Sequence, residues 1–137
     1  MELTKQVPSL ELCKKLKELG WDKETLYGWY TDECKFYVEY DAVAESESEL
    51  AREHGAFYTP IRIEPAPSVA ELGEALPTHF KSYEMVVMRI NNKNVHNWQI
   101  GYKRKEFPTM FKFVAEGETE ADARAKMWIY LKENNLL

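Results

Sequence analysis

The sequence predicts an α+β protein: a mainly antiparallel sheet packed against two to three helices, closing with a C-terminal β-β-β-α unit. Three observations carry this. Apolar runs over 83–90, 95–102 and 110–115 are separated by turn-forming segments and followed by a capped helical pattern from Thr119. A second 3.6-period pattern at 10–19 is bounded by Ser9 and Gly20. The 137 residues include four Trp, eight Tyr and six Phe, side chains that favour the pleated, half-buried surface of strands.

In chain order, Ser9 is a good N-cap, and Leu12, Leu16 and Leu19 fall on one face with Cys13 beside them. Gly20 is placed to end this helix in a left-handed conformation, with Trp21 folding back on the last turn. Strands are expected at Leu26–Tyr30 and Lys35–Tyr40, joined as a hairpin by Thr31-Asp32-Glu33-Cys34. In the second, Phe36, Val38 and Tyr40 alternate with Lys35, Tyr37 and Glu39. The acidic stretch Asp41–His54 has little to bury, and either a short surface helix or a loop satisfies it. Tyr58–Glu64 suggests an edge strand, because Pro60 has no N–H for a ladder.

Pro65-Ala66-Pro67 stiffens the chain before Ser68 and Glu71, which match a capping box. The helix that follows runs to about Leu76 with Val69, Leu72 and Leu76 as its stripe, and Gly73 weakens it or lets a neighbour come close. Tyr83–Ile90, a turn at Asn91–Asn94 and Val95–Tyr102 form a hairpin. Lys103–Pro108 leads to Met110–Ala115, where alternation puts Phe111 and Phe113 on one face. Thr119 caps the last helix, with Ala121, Ala125 and Trp128 on its buried stripe. No internal repeat or long linker divides the chain, so a single domain over 1–137 is expected.

Composition narrows the function classes. An apolar share of 45% and a charged share of 30% are ordinary for a globular chain. No apolar run approaches the roughly 20 residues of a membrane span, and the N-terminus lacks the apolar core of a secretory signal, so a cytoplasmic location is expected with no membrane partner. Cys13 and Cys34 are the only cysteines, and in that compartment reduced thiols are expected. The charge of −5 is uneven: residues 1–68 carry 8 basic and 14 acidic side chains (net −6), residues 69–137 carry 10 and 9 (net +1). The acidic half repels a phosphate backbone, so nucleic-acid binding would have to rest on a local patch.

Chemistry-bearing patterns are sparse. His54, His79 and His96 have no metal-binding spacing, and no C-x-x-C, G-x-S-x-G or phosphate-cradling glycine loop occurs. Neither a cofactor nor a metal is expected, and no catalytic residues are assigned. Lys103-Arg104-Lys105 is the one compact basic cluster, suited to a phosphate backbone or an acidic partner, or else a solvated turn. Tyr27, Trp29 and Tyr37 lie on the strand faces opposite Tyr30, Phe36 and Val38. They present a docking patch if helices cover one face only, and are covered if helices lie on both.

Three motifs, Pro8 to Gly20, Ala66 to Pro77 and Gly117 to Leu131, together resemble small proteins of phages, prophages and other bacterial mobile elements, a group with no assigned activity. The resemblance implies a bacterial or phage-infected host cell. Residues 83–134 also resemble the strand–strand–strand–helix half of double-stranded RNA-binding folds and HicB-type antitoxins. RNA-binding versions carry a basic cluster where this chain has Glu116, Glu118, Glu120 and Asp122, so the likeness implies the fold and not that activity. The combined expectation is a non-catalytic accessory protein that docks onto another protein or itself. The alternative is a nucleic-acid-associated accessory protein using the basic hairpin loop.

Overall fold

The computed structural model describes residues 2–31, 35–53, 61–92, 95–107 and 110–137, with the side chains of 48, 50–53, 92, 95 and 96 excepted. The fold class is α+β, and the chain forms two compact units, residues 1–68 and 69–137. The division coincides with the change from net −6 to net +1 along the sequence.

In the first unit, α1 (Leu3–Gln6) precedes α2 (Leu10–Glu18). Ser9 Oγ accepts from Leu12 N, capping α2. At its other end Gly20 has φ +98°, Gly20 N–H donates to Lys17 O and Trp21 N–H donates to Leu16 O. This is the paired 5→2 and 6→1 closure of a left-handed helix stop, and it buries Trp21 as expected. The sheet order is β2 (Phe36–Tyr40), β1 (Tyr27–Thr31), β3 (Ile61–Ala66), antiparallel throughout. β3 is an edge strand, and its Pro65 removes a donor that an edge spares. Val7, Cys13, Tyr27, Val38 and Ala66 form the core, with Leu3 and Trp29 packed against it. The acidic stretch is helical, α3 (Asp41–Glu53), and buries Ala44. Expectations for Asp32–Cys34, His54–Pro60, Lys93–Asn94 and Pro108–Thr109 lie outside the described residues.

The second unit opens with α4 (Val69–Ala75) and continues through β4 (His79–Phe80), β5 (Tyr83–Asn92), β6 (Val95–Arg104) and β7 (Phe111–Gly117) to α5 (Glu120–Glu133). The strands pair in that order, all antiparallel. α5 packs on β6 and β7, and α4 packs on α5. Thr119 Oγ1 accepts from Asp122 N, capping α5, and Glu120 and Asp122 suit the positive end of the helix macrodipole. With the sheet on one side and α4 on another, α5 buries more than one stripe: Ala123 and Ile129 are interior along with Ala121, Ala125 and Trp128.

One strand departs from simple alternation. Tyr102 pairs with Phe113 but Lys103 pairs with Phe111, leaving Lys112 as the extra residue of a β-bulge. Phe113 is therefore buried with Tyr102 on the helix-covered face, while the Phe111 ring lies against Gly101 on the other. The expected shared face for Phe111 and Phe113 is broken by that extra residue.

Candidate functional site

The first sheet separates the three aromatics that the sequence groups together. Directly opposed residues of antiparallel strands share a face, and the register is Tyr27↔Tyr40, Trp29↔Val38, Tyr30↔Tyr37. Tyr27 and Trp29 thus belong to the face of Val38. Tyr27 is 6% exposed, its ring 4.5 Å from that of Tyr40, and Trp29 Nε1 donates to Pro8 O at 3.1 Å. Tyr37 lies on the other face, stacked on Tyr30 at 6.1 Å. The grouping assumed that Phe36 and Val38 share a face with Tyr30. The observed register pairs them with Thr31 and Trp29, and a one-residue difference in register exchanges the faces.

On the Tyr30 face a polar cluster closes on itself. Tyr30 OH donates to Asp41 Oδ1, and Arg62 donates from Nε to Asp41 Oδ1 at 3.2 Å and from Nη2 to Oδ2 at 3.0 Å. Arg62 Nη2 also donates to Thr25 Oγ1 at 3.0 Å, whose hydroxyl donates to Tyr27 O. Gly28 leaves the room: a β-carbon there would stand 2.8 Å from Asp41 Oδ1 and 2.9 Å from Arg62 Nε. Burial, then the adjacent Asp41 carboxylate, holds the Tyr30 phenol above the usual tyrosine range, with Arg62 opposing. Tyr30, Asp41, Arg62 and Thr25 bond to one another and to the Tyr27 carbonyl, and these contacts fasten the start of α3 to β1 and β3.

The second unit assembles a different constellation at the end of its sheet where β5 begins and β6 ends. Tyr83 and Arg104 are directly opposed, with the guanidinium carbon 5.2 Å from the ring centroid. Lys112 Nζ, brought round by the bulge, is also 5.2 Å from Tyr83 and 5.6 Å from Phe113. In the adjoining turn Lys81 Nζ stands 5.7 Å from the Phe80 ring. Phe113 is the hub beneath, in ring contact with Phe80, Tyr83, Tyr102 and Tyr130. Such cation–aromatic contacts are worth about 0.5–1 kcal/mol each at exposed sites. They draw the charged heads of three cations onto the aromatic rings at one end of the sheet, while all three side chains remain exposed.

Of the basic residues singled out from sequence, Arg104 is a member of this constellation, Lys105 is exposed in the following turn and Lys103 is half-buried opposite Glu84. Nothing in the sequence pattern singles out Tyr83, Lys81 or Lys112 as site residues; Lys112 reaches the site only through a bulge that leaves no signature in hydrophobic patterning. Glu106 is the acidic residue within the turn. Among the described residues no group of three or more His, Cys, Asp or Glu side chains is placed to hold a metal ion, and no helix is long and apolar enough to cross a membrane. In comparisons with known proteins the chain matches no family model, no curated protein and no solved structure.

Proposed function

We propose that this chain is a non-catalytic, nucleic-acid-associated accessory protein that engages a phosphate backbone through the basic end of its four-stranded sheet. The observation that carries this is the convergence of Arg104 and Lys112 on Tyr83, each at 5.2 Å, beside Lys81 and Lys105. Fixed cations of one sign on a small area supply the sequence-independent part of polyanion affinity. The unit bearing them has net charge +1, in contrast to the acidic first unit. This reading displaces protein docking through Tyr27, Trp29 and Tyr37, because two of those side chains serve the first unit's core. It is compatible with a phage or mobile-element origin and with action in the bacterial cytoplasm.

With four or five cations and Glu84 and Glu106 nearby, affinity belongs in the weak, non-specific range of about 10⁻⁴–10⁻⁶ M at physiological salt. The test is fluorescence anisotropy of a labelled nucleic acid over a salt series. Binding should fall steeply with salt, and Arg104→Ala and Lys105→Ala should each reduce the log–log slope by about 1. Absence of binding at low salt, or binding indifferent to salt, rejects the proposal.

A further inference from the structure

The turn after β6 holds an aromatic side chain in an unusual setting. Phe107 is 52% exposed, yet its backbone is tied on both sides: its N–H donates to Arg104 O at 3.3 Å and its carbonyl accepts from Met110 N at 3.0 Å. These two hydrogen bonds anchor the backbone from which the ring projects. Lys103, Arg104 and Lys105 precede it, separated from it by the single exposed Glu106, and Met110, 66% exposed, lies on its other flank. Phe80, Tyr83, Tyr102 and Tyr130, by contrast, are each in ring contact with Phe113. Phe107 stands in water at a cost, beside the charges that attract phosphate.

We propose that the ligand of this site is single-stranded nucleic acid, with Phe107 stacking on an unpaired base while Arg104 and Lys105 hold the adjoining phosphates. The inference rests on the polyanion reading above and narrows it. Any base offers a π-face, so such a platform binds without sequence preference. In a duplex the base faces are occupied by neighbouring bases, and only the phosphate contacts remain. A ring on an anchored backbone loses little freedom on stacking, which favours the single strand further.

The test compares a labelled oligo(dT) of roughly 16 nucleotides with a duplex of the same length, at low salt. The native protein should prefer the single strand. Phe107→Ala should weaken single-strand binding about 5- to 100-fold and leave duplex binding unchanged, and Phe107→Tyr should restore the preference. An exposed side chain makes these variants safe for folding, and Arg104→Ala should weaken both ligands. Equal binding of the two ligands by the native protein, or a preference that survives in Phe107→Ala, overturns the stacking inference and leaves polyanion binding standing. No binding of either ligand overturns both.

Discussion

The ring of Phe111 lies against the α-carbon of Gly101, so that a β-carbon added there would overlap Phe111 Cδ1 and stand 3.1 Å from the Phe113 carbonyl oxygen. Gly101 is therefore required by the bulge: the extra residue that turns Phe113 inward lays Phe111 across β6, where only a bare backbone fits.

Gly101→Ala should destabilise the protein by about 1–3 kcal/mol, the usual cost of forcing atoms into an occupied position. Urea denaturation measures this. Phe111→Ala in the same chain should recover part of the loss, and strictly additive effects would show that the two residues do not compete for one space.

Gly73 has the opposite expectation. A β-carbon there would meet Arg124 Nη1 at 2.9 Å, the far end of a flexible side chain that Glu120 holds through contacts of 2.7 and 3.0 Å. Alanine gains about 0.5–1 kcal/mol over glycine inside a helix, and displacing the guanidinium offsets it. Gly73→Ala should be nearly neutral alone and stabilising by about that full amount in an Arg124→Ala background.

Two caps differ in quality. Thr119 Oγ1 accepts at 3.1 Å, whereas Ser9 Oγ accepts at 3.4 Å. Thr119→Ala should cost about 1 kcal/mol and Ser9→Ala less, both within the range for lost N-caps. Thermal unfolding of the two variants in parallel orders them.

Two phenols should govern the alkaline limb of stability. Burial pushes Tyr102 up to about 12, with Arg124 opposing, and Tyr30 lies above the usual range as well. A raised folded-state pKa means the native state keeps a proton that the unfolded chain releases near pH 10. The stabilisation is whole below pH ~10 and declines above it until the folded-state pKa is reached. Absorbance titration should show the Tyr30 and Tyr102 phenolates forming late, and Tyr102→Phe should remove one late component along with the 2.7 Å hydrogen bond to Pro77 O. A titration of the folded protein that is complete near pH 10, with no component lost in Tyr30→Phe or Tyr102→Phe above that pH, would contradict this.

What could be read from the residues alone is instructive by location. Ser9, Gly20 and Thr119 announce helix ends because capping is a local transaction between a side chain and the next turn. The six longer strands among the described residues and the fold class follow from hydrophobic runs and the turn residues between them. The faces of Tyr27, Trp29 and Tyr37 do not, because they depend on which residue stands opposite which, a property of two strands at once. Lys112 fails for the same reason, since its direction depends on a mismatch between β6 and β7. β4, at two residues, and α1, at four, are too short to display any period. The candidate site is made of these same illegible parts, which is why only its Lys103-Arg104-Lys105 segment was visible.

Lys112 standing unopposed in β7 also bears on how the molecule behaves in a crowd. β7 closes one side of its sheet, and an outermost strand with an even backbone rhythm invites a neighbour's strand to continue it. The irregularity at 112 breaks that rhythm and sets a lysine beside the break, so fibrous stacking of one copy on the next is discouraged by the same residue that gathers charge at the sheet's end.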